Sequence, residues 1–129
     1  MTCGCSSGKK RLVYACSGAA NTGYLADQVA RRLSLQGVAR MTCLAGVGAE
    51  LDSFLRAAAT AEMNLVVDGC PTACGRKTFQ RYELPCMPVV LTDFGVEKGT
   101  TLIDEAVLAR VVQEVAVRHL AAPEGETSR

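Results

Sequence analysis

The sequence has almost no net charge: 14 lysines and arginines stand against 13 aspartates and glutamates, for a formal +1 at pH 7. No global field is available to draw in nucleic acid or an anionic membrane, and neither partner is expected. The chain also lacks any apolar stretch of the length needed to span a bilayer. Its start, "MTCGCSSGKKR", is polar and basic with no hydrophobic core of a signal peptide behind it. There is no repeat at solenoid periods and no low-complexity block. Histidine is nearly absent too. The single one, His119, falls late in the last expected helix, where a cation complements the helix dipole.

What is abundant is apolar surface and cysteine. Hydrophobic residues make up 49% of the 129 positions, enough for one domain with a real core that needs no staples. Seven cysteines are many for a reducing compartment, and an odd number argues against a fully paired disulfide framework. Metal ligation or reactive thiols are the better expectation, in a cytoplasmic protein.

Hydrophobic patterning places the elements. "RLVYAC" reads as a near-continuously apolar strand closed by the turn-rich "SGAANTG". Leu25, Val29 and Leu33 then recur on one helical face, opposite Asp27, Gln28, Arg31 and Arg32, and Gly37 ends the helix. "VARMTC" alternates, as a less evenly covered strand does, and "LAGVG" leads into a helix presenting Leu51, Phe54, Leu55 and Ala58. "MNLVVD" is a third strand. "PTACGRKTFQRY" is expected as a helix with Pro71 in its first turn, and "MPVVL" as a fourth strand whose Pro88 suits an edge. Thr101 and Asp104 resemble a capping box before a last helix striped by Leu108, Val111, Val112 and Val115.

Strands alternating with helices predict an α/β fold: a small three-layer sandwich with a four-stranded, mostly parallel sheet of order 2-1-3-4 and helices on both faces. That order puts the two most apolar strands at the centre. The chain divides into a flexible N-terminal tail over 1–10, a single metal-binding α/β domain over 11–121 and a frayed C-terminal tail over 122–129.

Parallel strands finish at one edge of the sheet, where open α/β sheets bind ligands. Cys16 ends strand one, Cys43 ends strand two and Cys70 ends strand three, with Cys74 about one helical turn further on. Neighbouring strands lie about 4.8 Å apart, so these four thiols are expected to reach one metal. A helix start favours the thiolate. Four thiolates suit Zn²⁺, and the same set holds an iron–sulfur cluster equally well. Asp68 is expected to orient the turn through nearby N–H groups or to support the site from behind. Asn21 is expected as a helix cap or a polar contact at the cleft. Arg76, Lys77 and Arg81 either offset the charge of a tetrathiolate centre or form a solvated face. Cys86, which precedes strand four, is expected as a buried or idle thiol; Cys3 and Cys5 form a C-x-C that is expected first as incidental thiols of a disordered tail and second as a site to capture or hand over a soft metal.

Two other chemistries compete for the same residues. Cys70 to Arg76 fits C-x5-R, the spacing with which a thiolate and an arginine grip an oxyanion, although Pro71 removes one N–H from such a cradle and Lys77 follows where a hydroxyl is wanted. Cys16 fails the same test, because Thr22 stands where the arginine is needed. Alternatively, Cys70 and Cys74 cycle through a disulfide or a persulfide.

The segments "DGCPTACGRK", "CSGAANTGYLADQVARRL" and "MTCLAGVGAELDSF" together resemble the DGC-domain family, and the likeness runs from Leu12 to the end of the last helix. The resemblance implies zinc binding by four chelating cysteines, which match Cys16, Cys43, Cys70 and Cys74, and it implies little about biochemical role. The C-x-C of the tail is not part of that family core. The expected function is a zinc-binding module for sensing, storage or delivery, with thiol catalysis or redox work at Cys70 as the alternative.

Overall fold

A computed structural model describes residues 10–120 of the chain. The expected tails, with Cys3 and Cys5, lie outside the described residues. Strand β1 (Arg11–Ala15) leads to helix α1 (Asn21–Leu35), and strand β2 (Arg40–Met41) to the short helices α2 (Leu44–Gly48) and α3 (Asp52–Thr60). Strand β3 (Met63–Asp68) is followed by helix α4 (Cys74–Arg81) and strand β4 (Met87–Val90). A 3₁₀ turn (Leu91–Phe94), helix α5 (Glu105–Val115) and a π turn (Ala116–Leu120) complete the described chain.

The four strands form one sheet in the order β2-β1-β3-β4, parallel throughout. This is the α/β architecture and strand order that the sequence pattern implies. Side chains alternate across the sheet, and both faces are covered. Val13, Ala15, Leu65, Val67 and Val89 face a core with Leu25, Val29 and Leu33 of α1 and Val111 and Val115 of α5. Leu12, Tyr14 and Val66 point the other way, to Val47, Ala58 and Phe79 from the α2, α3 and α4 layer. Burial on both sides explains the apolar runs Leu12–Ala15 in β1 and Leu65–Val67 in β3. β4 pairs with β3 alone, so Pro88 costs no ladder bond to a further strand.

Local expectations shift in four places. Of "VARMTC", only Arg40–Met41 is strand, although Thr42 N still donates to Val13 O at 3.0 Å. "LAGVG" is itself a helix, α2. The fourth helix begins at Cys74 instead of Pro71, because Ala73 takes a left-handed conformation (φ 55°, ψ 51°) that no helix can pass through. Asp104 is the N-cap of α5, accepting from Val107 N at 2.9 Å, and Thr101 takes no part in a capping box: its hydroxyl accepts from Glu97 N at 2.7 Å. Among the described residues, no helix is long and apolar enough to cross a membrane.

Candidate functional site

The exit of β3 is built by aspartate and glycine before any cysteine is placed. Asp68 ends the strand with its carboxylate buried. Its two oxygens accept from Gly75 N at 2.7 Å and Arg76 N at 3.0 Å, the first free amides of α4. Asp68 thus caps a helix that starts six residues later, while the N-cap residue itself, Ala73, offers no side-chain acceptor. Gly75 leaves room for that carboxylate: a Cβ there would meet Asp68 Oδ1 at 2.9 Å and Val66 Cγ1 at 2.7 Å. Gly69 is required for another reason, since a Cβ would run into the backbone carbonyl of Thr22 on α1. Pro71 sits second in a turn closed by Ala73 N to Cys70 O at 3.0 Å, where its fixed φ is an advantage.

Around this frame the thiols fall at one edge of the sheet. Cys16 leaves β1 and its sulfur accepts from Gly69 N at 3.3 Å, joining the two strand exits on either side of the point where strand order reverses. Cys70 follows directly. Hydrogen bonds from the Thr72 hydroxyl and the Thr72 backbone hold its thiol below the usual range, and Lys98 adds to this, its Nζ lying 3.5 Å from the sulfur. Cys43, the N-cap of α2, is exposed, as is Cys74 in the first position of α4. Cys16 and Cys43 line a cleft of about 1020 Å³ with Met41, Leu44, Arg31 and Thr78.

In kind, the donor set fits zinc or an iron–sulfur cluster: soft thiols gathered from three strand exits and one helix start. In arrangement, no group of three or more His, Cys, Asp or Glu side chains among the described residues surrounds a common point.

The DGC-domain family model matches residues 12–115. The chain belongs to the DGC-domain family. The matched span contains Cys16, Cys43, Cys70 and Cys74 and begins after the C-x-C of the tail. Among curated proteins, the Anaerobic and virulence modulator AnvM of Pseudomonas aeruginosa is 39% identical over 88 residues, which is 67% of each chain. No solved structure matches.

In this DGC domain the residue that the sequence did not single out is Lys98. It belongs to the loop before α5, which Asn21 ties to the start of α1. Asn21 Nδ2 donates to Glu97 O at 3.1 Å and Thr101 O at 2.8 Å, and its Oδ1 accepts from Gly99 N at 2.7 Å. Asn21 is therefore a strap, and Ala20 occupies the N-cap position of α1. Gly99, at φ +90°, turns the chain beside Lys98, as Gly95, at φ +81°, does at the loop's start.

The remaining candidates separate from this edge. Cys86 is half-buried, and burial, with a smaller push from Asp68 and opposition from Arg76, raises its thiol to about 11. Its partial burial agrees with the expectation of a buried thiol. Arg76 belongs to those surroundings: its Nε is buried without a partner, and it is not among the groups acting on Cys70. Among the described residues the charged side-chain donor in contact with the Cys70 sulfur is Lys98, and no hydrogen bond joins that sulfur to Arg76. Lys77 and Arg81 are exposed. His119, in the π turn, is pushed down by burial first and Arg118 next, so it favours the neutral form and not the helix-end cation expected from its position.

Proposed function

We propose that the protein is a metal-binding module whose Cys16, Cys43, Cys70 and Cys74 hold Zn²⁺. The observation that carries this reading is placement: the three parallel strand exits and the start of α4 deliver four thiols to one edge of one sheet. Membership of the DGC-domain family supports it, because the family match spans all four. When bound, zinc would add a cross-link between loops that the Gly69 N to Cys16 Sγ and Cys16 N to Val67 O bonds already bring together. A four-thiolate shell is closed, with no open position for an activated water, so the chemistry favours sensing, storage or delivery over hydrolysis. The exposure of Cys43 and Cys74 leaves both free to turn towards a metal.

Free thiols in this number suit a reducing compartment, which supports a cytoplasmic location, and the near-zero net charge gives no reason to invoke nucleic acid or membrane as a partner. The relative AnvM is named a modulator. A regulatory role for this chain would have the loops at the cysteine edge change shape with metal occupancy.

The test is elemental analysis with an absorption spectrum on anaerobically purified protein, repeated on Cys16→Ser and Cys74→Ser. We expect one colourless zinc per chain, lost in both variants. An iron-dependent visible band in place of zinc would make the site a cluster. A second reading is favoured by one observation, the Thr72 and Lys98 donors around the Cys70 sulfur: thiol chemistry at Cys70 in metal-free protein. Metal-free protein whose Cys70 is alkylated well ahead of its other thiols would replace the zinc reading with this one.

A further inference from the structure

We propose that Cys70 and Lys98 form an oxidative modification site, at which a peroxide-class oxidant joins the Cys70 sulfur to the Lys98 nitrogen in a reversible sulfenamide cross-link. Two independently anchored segments bring the pair together. Cys70 is held by the turn closed from Ala73 N and lies two residues from the Asp68 cap. Lys98 is presented by the loop that Asn21 grips through three hydrogen bonds spanning 76 to 80 residues of sequence, and that the Thr101 hydroxyl closes on itself. The result is an Nζ–Sγ approach of 3.5 Å between residues 28 apart in the chain.

The alternatives for an oxidised Cys70 are less well placed. Cys16 has its sulfur engaged with Gly69 N, Cys74 is exposed at the start of α4, and Cys86 is half-buried against the Tyr14, Val66 and Phe79 core with a raised thiol. The lysine amine is the partner in contact. A sulfenic acid condenses with a thiol to a disulfide or with a nitrogen to a sulfenamide, and here the nitrogen is the neighbour in contact.

The chemistry balances with one oxidant. The Cys70 sulfur attacks one peroxide oxygen; the O–O bond breaks, an S–O bond forms and one water leaves, giving sulfenic acid. Lys98 gives its ammonium proton to solvent, and its lone pair attacks the sulfenic sulfur. The S–N bond forms, the S–O bond breaks, and the hydroxyl leaves as a second water with the proton released from nitrogen. Sulfur loses two electrons and the peroxide gains them. Two equivalents of a small thiol reverse the link, returning Cys70 and Lys98 and leaving one disulfide of the reductant. Formation would staple the loop before α5 to the exit of β3 and take Cys70 out of the candidate metal quartet.

The experiment uses the full chain, reduced and stripped of metal with a chelator. Hydrogen peroxide is added, remaining thiols are alkylated, and the protein is digested with an acidic-residue-specific protease that leaves lysine uncut. We expect a linked peptide joining the Cys70 and Lys98 segments, lighter by two hydrogens than their sum. It should be abolished in Lys98→Arg and in Cys70→Ser, reduced several-fold in Asn21→Ala, and lost on adding dithiothreitol. Lys98 is exposed, so Lys98→Arg tests the link without threatening the fold. Recovery of wild-type Cys70 as a disulfide with another cysteine, or as sulfinic acid, with Lys98 unmodified would overturn the proposal. Zinc content is measured on separate untreated samples, so the cross-link and the metal reading stand or fall independently.

Discussion

Replacing Asp68 tests whether the aspartate at the β3 exit is a structural cap. Its two carboxylate oxygens take the amides of Gly75 and Arg76 at 2.7 and 3.0 Å, and the residue is 1% exposed. Hydrogen bonds to a charged acceptor contribute about 1.5–3 kcal/mol each, and a buried amide left without a partner costs about 1–3 kcal/mol. These are two views of the same loss and do not add. Loss of an ordinary helix cap costs about 1 kcal/mol. With both amides involved, Asp68→Ala should destabilise by about 3 kcal/mol. Asp68→Asn keeps one acceptor oxygen and turns an NH₂ towards the other amide, so about half that loss is expected. Urea unfolding followed by circular dichroism reads this directly: at a slope of about 2 kcal/mol/M, the alanine midpoint falls by about 1.5 M and the asparagine midpoint by about half as much. An alanine variant within about 0.5 kcal/mol of wild type, the range of an ordinary surface change, would refute the capping argument.

Gly69→Ala places a methyl against the Thr22 carbonyl, a backbone atom that cannot turn aside; a loss of about 1–3 kcal/mol in thermal unfolding is expected, and an unchanged midpoint would mean that α1 and the β3 exit separate easily. Stability should also fall in alkali. Burial raises Cys86 from 9.0 to about 11 and Tyr14 from 10.0 to about 12, so the unfolded chain gives up each proton first. Their contribution is complete below the unfolded values and is lost as pH rises from 9.0 through about 11 for Cys86, and from 10.0 through about 12 for Tyr14. Urea midpoints measured across that range should decline less steeply in Cys86→Ala combined with Tyr14→Phe, and an identical decline would remove both groups from the explanation.

The sheet was legible because burial on both faces leaves a plain mark. Val13 and Val67 look to α1 and α5 while Tyr14 and Val66 look to the opposite layer, so neither central strand turns a face to solvent, and the polar Asn64 and Asp68 of β3 are themselves buried. The cysteine edge was legible for a topological reason: parallel strands end on one side, so Cys16 and Cys70 were bound to lie there once the order 2-1-3-4 was inferred. Boundaries that depend on a single backbone conformation were not legible. Nothing in alanine marks position 73 as left-handed, yet that one residue moves the start of α4 from Pro71 to Cys74. The two-residue β2 escaped for a related reason: Val38 carries a strand-like side chain, yet its N–H turns back to Leu33 O of α1, and Thr42 keeps one bond to Val13 O without prolonging the strand. Lys98 was beyond reach altogether. Its contact with Cys70 exists only because Asn21 binds a loop some 80 residues away, and no local periodicity reports such a bond.

Structure divides the "DGCPTACG" segment into two kinds of residue. Asp68, Gly69 and Gly75 make the exit possible: one caps α4, one lets α1 come close, and one makes space for the cap. Cys70, Thr72 and Cys74 make nothing of the fold. Thr72 and Cys74 are exposed, and the Cys70 sulfur takes its donors from a threonine hydroxyl, a threonine amide and a lysine, none of which needs it for its own packing. A thiol that the scaffold does not use, with Lys98 beside it at the place where a parallel sheet gathers its loops, is what the two proposals above build on. If both proposals hold, metal ligation and the cross-link would compete for the same sulfur. A Lys98–Cys70 cross-link would then withdraw one ligand from the other three cysteines, and the loop that Asn21 grips would bear on both.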